Sequence, residues 1–541
     1  MNLTQTVLSW LRKMGTRNGY EHEYHLAEDG VDLHHDLINL SSLRSPKMNN
    51  CYFRDGIISR LGMTKLSATE VDAGKSVSAL HRFYFSESSK QLLVASGTTL
   101  KKYDDISAYD DVATGLTDGA ELTMHTWGPK DAVYVSNGNE TPFKWDGATK
   151  TNLSIFPSTT KQFIAILDRL AWIDGTNPTF IQVSKAFDDT AVESVQNAMK
   201  VPGPSIIYGL AYHGLITDVG FAYKILIAKG TSIWMLTAND LTPASLDVRL
   251  DIVSENIGCE AWQTMKSTPV GTFFLGTDKQ VYLITMSMQI VIVGSLIRSN
   301  RVDLEGIEQI PTGQMGKPFA VYHDGFYKLF FPATGGTHNS LQYWLDISRF
   351  KIGRDGFWGP WYGPMKGQSI AHAIVQNGPG DNGKLFGGEG NAVTGSLIYQ
   401  LDSGNSDNGN AIDYLYQTNF SAHQRKKHTK IVNTIDIEMA SVDGTLNVSF
   451  FDTTGTQSSG EQIALISDSV FWGEKTWDDF FWTAAGVPVR QEIVPGNKLI
   501  IRYLSIVFQF SSTTEQFKLY RVMCKGQIRS IKPFVGSIAR E

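Results

Sequence analysis

Three cysteines in 541 residues, Cys51, Cys259 and Cys524, are too few and too far apart for a disulfide framework. They read as buried free thiols of a chain made in a reducing cytosol. Charge is also scarce: 19% of residues are charged, and the balance is −6. That excludes a disordered polyelectrolyte and a chain that coats nucleic acid by bulk charge. The only dense basic run is Arg425 to His428. No apolar run reaches the roughly 18 residues of a membrane helix, so no stable membrane insertion is expected. The most apolar stretch, Val281 to Ile297, is interrupted by Ser287, Gln289 and Gly294 and reads as two adjacent buried strands. The opening LTQTVLSWL is too short and too polar for a secretory leader. Its Val7, Leu8 and Leu11 predict a short amphipathic helix over 4–14, ended by Gly15.

Reactive signatures are missing too. The histidine- and acid-rich runs EHEYH (Glu21 to His25) and DLHHD (Asp32 to Asp36) lack the HExxH spacing and read as solvated surface. DSGNSDNGN (Asp402 to Asn410) and NGPGDNGK (Asn377 to Lys384) resemble calcium loops only in composition, and turn chemistry accounts for them. GGEGN (Gly387 to Asn391) has no strand-to-helix context for cradling phosphate. Acids that a glycosidase would pair are dispersed among turns, at Asp104, Asp146, Asp174, Asp278 and Asp324. The aromatic run RDGFWGPWYG (Arg354 to Gly363) could stack on sugar, but Trp358 and Trp361 read first as blade-edge packing. No nucleophile motif occurs. No catalytic, cofactor-binding or metal residue is assigned, no cofactor is expected, and the chain reads as a non-enzyme.

What is abundant is turn and strand material: 50 glycines, 28 phenylalanines, 20 tyrosines and 12 tryptophans. One pattern recurs: an apolar run, a tight polar turn, a second apolar run, then an aromatic near an acid. LLVASGTTLKKYDD (Leu92 to Asp105), AVYVSNGNETPFKWDG (Ala132 to Gly147) and ILIAKGTSIWML (Ile225 to Leu236) show it best. Asp324-Gly325, between alternating apolar runs, is a strong hairpin signal. Units open near Ser76, Ala120, Thr159, Pro204, Gly258, Met315 and Gln368, the spacing of four-stranded blades with variable loops. The rhythm predicts an all-β chain with a β-propeller over 68–402, of six to eight blades with seven preferred. Residues 1–67 read as an N-terminal arm and lead-in. The polar break at 402–411 is followed by longer alternating strands, with Asp443-Gly444 as a hairpin turn between Ile431–Val442 and Thr445–Thr453. Residues 412–541 thus predict a C-terminal β-sandwich of jelly-roll type.

Two stretches then carry a resemblance. NLSSLRSPKMNNCYFRDGIISRLGMTKL, with its Arg60-x-Gly62, resembles the N-terminal signature of tailed-phage propeller proteins. DYLYQTNFSAHQRKKHTKIVNTIDIEMASVDGTLNVSFFD (Asp413 to Asp452) resembles the strand entry of their C-terminal sandwich, and FWGEKTWDDFFW (Phe471 to Trp482) has that domain's texture. With the rhythm between them, most of the chain is similar to the tail nozzle, or tail hub and head-closure, propeller of short-tailed bacteriophages. Residues 1–38 depart from that pattern, and their role stays open. The resemblance implies a virion structural protein of the tail, assembled in the host cytoplasm. It would form a ring, usually a homo-hexamer, below the portal and adaptor. The ring would continue the channel for genomic DNA during ejection and dock fibres or spikes. The alternative is a glycan-binding or glycan-cleaving propeller, as in a fibre or depolymerase.

Overall fold

The computed structural model describes residues 19–529, excepting 86–88, 105–108, 195–198, 215–222, 300–303, 354–355, 377–382, 394, 424–428, 441, 453–456, 466–487 and 496–498. The helix expected over 4–14, the basic run at 425–428 and the tryptophan-rich run at 471–482 lie outside the described residues. Strands dominate, and helix among the described residues is confined to single 3-10 turns such as Trp262–Thr264. The chain divides into two compact units, one of residues 61–408 and one of residues 1–60 with 409–541.

The first unit is a β-propeller of seven small antiparallel sheets. Their first strands are Val77–Tyr84, Thr123–Trp127, Phe163–Ile166, Ile207–Tyr212, Lys266–Thr268, Phe319–His323 and Ile370–Gln376. Each opens shortly after one of the seven predicted starts. The sheets are numbered here as blades 1 to 7. Six have four strands, and blade 3 has three among the described residues.

Each junction between neighbouring blades is its own apolar core. Phe83 and Leu93 of blade 1 pack with Val133 and Trp145 of blade 2. Trp127 and Tyr134 meet Phe163 and Trp172 across blades 2 and 3. Ile166 and Ile181 meet Ile225 and Leu236 across blades 3 and 4, and Leu226 meets Phe274 across 4 and 5. Phe273 lies 5.2 Å from Tyr327 between blades 5 and 6. Phe330 and Leu385 join blades 6 and 7, and Phe386 with Leu92 joins blade 7 back to blade 1. The series therefore closes on itself. A blade strand covered on both faces has no solvated side, which is why Ala132–Ser136 and Gly271–Leu275 are buried at every position and read as unbroken apolar runs.

Local turn chemistry acts as expected at Asp324-Gly325. Both residues have positive φ, +48° and +79°, and His323 pairs with Phe326 across the turn. The stretch from Val281 needs correction. Val281–Thr285 is buried, but its partner Ile290–Ile292 is the outer strand of blade 5, and Ile292 is 52% exposed.

The expected lead-in over 1–67 is also corrected, because it is shared between the units. Met63–Lys65 is the outermost strand of blade 7, paired through Met63 with Leu401 and through Lys65 with Tyr399. The propeller ring is thus closed by a strand from before the first blade.

In the second unit, both chain ends build the same two antiparallel sheets. One centres on Thr429–Ala440 and Lys518–Arg529, paired along their length. Gly19–Tyr24 and Ile57–Ser59 flank Lys518–Arg529 on its other side. The second sheet runs Met48–Asn49, Ile412–Gln417, Ser505–Ser512, Gly444–Phe451, Gln457–Leu465. Asp443-Gly444 is therefore not a hairpin: the strands it joins belong to different sheets. Alternation marks a half-buried strand but does not name its partner.

Candidate functional site

The innermost strands of the propeller enclose a cavity of about 390 Å³, a volume suited to a small molecule. His81 comes from blade 1, His125 from blade 2, Tyr212 from blade 4, Gln263 and Lys266 from blade 5 and His372 from blade 7. None of these residues was singled out from the sequence. They lie on separate short strands or, for Gln263, on a 3-10 turn, with no local pattern that marks a site. A signal was nonetheless present. Five of the 12 histidines, His81, His125, His213, His323 and His372, sit in or next to a blade's first strand.

The polar groups are tied across blades. His81 Nε2 lies 2.6 Å from Thr126 Oγ1. The Ala165 amide donates to His125 Nε2 at 3.0 Å, so a neutral His125 carries its proton on Nδ1. Tyr212 donates its hydroxyl to the Ala165 carbonyl at 2.9 Å. His372 Nδ1 is 3.1 Å from Gln263 Oε1, an acceptor, which assigns that nitrogen as the donor. The Gln263 amide nitrogen donates to Glu121, as does Trp262 Nε1 at 3.1 Å.

Burial holds the three histidines neutral. It lowers His81 and His372 to about 3 and His125 to about 4. Lys266 is lowered to about 8 by burial alone. Glu121 is reached by solvent but closely walled by protein, and this confinement raises its carboxyl in spite of Gln263, Trp262, Lys317 and Lys161. No Asp or Glu lines the cavity among the described residues.

The motifs weighed from sequence fall elsewhere. In EHEYH, His22 stacks on His423 with centroids 4.5 Å apart, and Tyr24 donates to the Leu504 carbonyl at 2.8 Å. His423 bridges Tyr24 and Tyr20 at 2.8 and 3.0 Å. Tyr24 and, in part, His22 thus join a hydrogen-bonded aromatic cluster of the second unit, while Glu21, Glu23 and His25 are exposed, as the solvated-surface reading expects. In DLHHD, Asp32 is buried and accepts from the amides of His34 and His35, the His35 ring and Arg44. Among the described residues no three His, Cys, Asp or Glu side chains are grouped to hold a metal.

Asp402 ends blade 7 and pairs with Lys328 of blade 6, with His323 Nδ1 at 3.1 Å. Residues 377–382 of the second calcium-like run lie outside the described residues. In GGEGN the glycines serve packing: a Cβ on Gly388 would sit 2.4 Å from Val77 Cγ1. Trp361 is fully buried and donates to the Val293 carbonyl at 2.8 Å, while Lys351 Nζ lies 4.6 Å from the Trp358 ring centre. Among the turn acids, Asp146 accepts from the amides of Ala148 and Thr149, and Asp174 from that of Thr176. The three cysteines are buried free thiols.

No family model and no curated protein matches the chain. Among solved structures, the WD40 β-propeller domain of Doa1 aligns at 10% identity and TM-score 0.36, covering 63% of this chain and 97% of that one. Sqt1 of Saccharomyces cerevisiae aligns at 9% and 0.37, covering 66% and 100%. A glycoside hydrolase aligns at 10% and 0.27, covering 85% and 99%. Likenesses this weak say nothing of function. The fold rests on the closed ring of sheets described above.

Proposed function

We propose that the chain is a virion structural protein of a tailed bacteriophage. In this reading it forms a ring in the tail nozzle or hub, continues the DNA channel below the portal and adaptor, and docks fibres or spikes. One observation carries it. The two stretches that resemble such proteins lie at opposite ends of the sequence yet fold as partners: Met48 pairs with Tyr416 and Asn49 with Leu415. The chain also crosses repeatedly between the two sheets of this unit from Ile412–Gln417 onward. That crossing habit favours reading the unit as a β-sandwich of jelly-roll type. The closed propeller supplies a rigid body with broad sides for contacts between copies. Its own cavity has the volume of a small molecule, so the DNA path would be the centre of the ring.

The glycan reading is favoured by Trp262 and Tyr212 in the cavity wall and by the raised carboxyl of Glu121. Against it, glycoside hydrolysis uses two carboxyl groups about 5 to 9.5 Å apart, and the lining offers no pair. Native mass spectrometry of the purified chain, and of particles carrying it, tests the proposal. A closed ring present at fixed copy in virions is expected. A chain that stays monomeric and is absent from particles overturns it. Release of reducing sugar from host polysaccharide, lost on Glu121→Gln, would move the assignment to the second reading.

A further inference from the structure

We propose that the central cavity of the propeller binds a small oxyanion, of the carboxylate or sulfate and phosphate class, with Lys266 as its counter-ion. The inference does not depend on the ring.

The cavity is large enough for such a ligand and is lined from blades 1 to 5 and 7. Nearly every polar group in its wall already has a protein partner. Gln162 exchanges two hydrogen bonds with the Leu210 backbone at 2.9 and 2.8 Å, Tyr212 is used by Ala165, and Gln263 by His372 and Glu121. Lys266 differs. Its side chain is half-buried, faces the cavity, and has no hydrogen-bond or ion-pair partner among the described residues. Burial depresses its ammonium to about 8, and no carboxylate is close enough to oppose the shift. Glu121, which does not line the cavity, is engaged by Trp262 and Gln263 and faces Lys161 and Lys317. A desolvated cation without a counter-charge is costly, and an anion entering beside it recovers much of that cost.

A second donor is set by the tautomer. His125 accepts through Nε2, so its Nδ1 carries the hydrogen and is free to donate to an oxyanion. Around the cavity, after the dominant effect of burial, Lys266 and His81 disfavour protonation of His372, and His125 disfavours it at His81. The Lys266 charge thus already bears on His372, and a bound anion would offset it. With the histidines neutral, Lys266 is the one cationic side chain of the lining among the described residues, and no carboxylate of the lining opposes it.

Isothermal titration calorimetry on the full chain tests this, with sodium sulfate and sodium acetate as separate probes and sodium chloride at matched ionic strength as reference. Saturable binding of either oxyanion at one site per chain is expected, and which one binds assigns the class. Binding should take up protons near pH 8, because the anion raises the lysine. Lys266→Met should weaken it at least tenfold while the far-ultraviolet spectrum and melting point stay those of the parent. Should that variant not fold, the parent protein decides. Sulfate keeps its charge across the range, so its affinity must fall on going from below pH 7 to above pH 9 as Lys266 loses its proton. Heats no different from chloride for both probes, a flat pH profile, or unchanged affinity in folded Lys266→Met overturns the proposal.

Discussion

Replacing Gly62 by Ala should open the propeller at its seam. Gly62 precedes the strand Met63–Lys65 and lies against the turn that follows blade 7. Its amide donates to the Gly404 carbonyl at 2.8 Å and its carbonyl accepts from Ser403 at 3.0 Å. Met63 donates to Ser406 at 3.0 Å. An added Cβ would lie 2.0 Å from the Ser406 carbonyl oxygen and 2.4 Å from its carbon. Both are backbone atoms, so no rotamer relieves the overlap and the two segments must separate. Overpacking of this kind costs about 1–3 kcal/mol. Losing one or two of the seam hydrogen bonds adds about 0.5–1.5 kcal/mol each. The sum, roughly 1.5–6 kcal/mol, is a large part of a domain's net stability. Backbone hydrogen exchange at Ile398–Leu401 reads it directly, because local opening sets protection there. Exchange should accelerate at least roughly tenfold, at about 1.4 kcal/mol per tenfold. Gly313→Ala is the control, since nothing lies within 4 Å of its added Cβ, and it should stay within about 0.5 kcal/mol of the parent. Unchanged exchange at the seam in Gly62→Ala would refute closure of blade 7 by the early strand.

Three further outcomes are expected. Burial raises the Asp402 carboxyl, but the Lys328 charge and His323 outweigh it and hold the group well below the usual carboxylate range. Its stabilisation is present above the ordinary aspartate value of about 3.9 and fades as pH falls below it. Asp402→Asn strands Lys328, which is 2% exposed, so it should cost about 3–5 kcal/mol at neutral pH and flatten the acid limb of melting temperature against pH. In the second unit, burial lowers His423 to about 2. A depressed histidine destabilises as pH drops below its unfolded value near 6.5, by about 2 kcal/mol at pH 5. His423→Asn, which tolerates the residue's φ of +42°, should melt lower at pH 7 yet lose less between pH 7 and 5; equal pH dependence would refute the buried, neutral assignment. Finally, Tyr134→Phe removes the hydroxyl donated at 2.6 Å to Asp189, itself 2% exposed. A loss of about 1–3 kcal/mol in urea unfolding is expected, and no loss would show that Lys144 alone suffices.

The blades were legible in the sequence because hairpins are local. Asp324-Gly325 sets its own turn through two positive φ values, and a strand covered on both faces announces itself as an unbroken apolar run, as in Ala132–Ser136. Seven such units could be placed in order without knowing what each packed against. Pairings between the chain ends were not legible. Met63–Lys65 has three residues and no alternation that names Ile398–Leu401 as its partner. Asp443-Gly444 carries the same turn chemistry as a hairpin but joins strands of different sheets. The cavity is a tertiary fact of the same kind. His81, His125, Lys266 and His372 lie on separate strands of four different blades, and only ring closure brings them to one wall. Local chemistry can choose a turn or a buried strand from neighbouring residues alone. A partner strand, a shared cavity or an unpaired lysine depends on residues far apart in the chain, and only the folded ring brings those together.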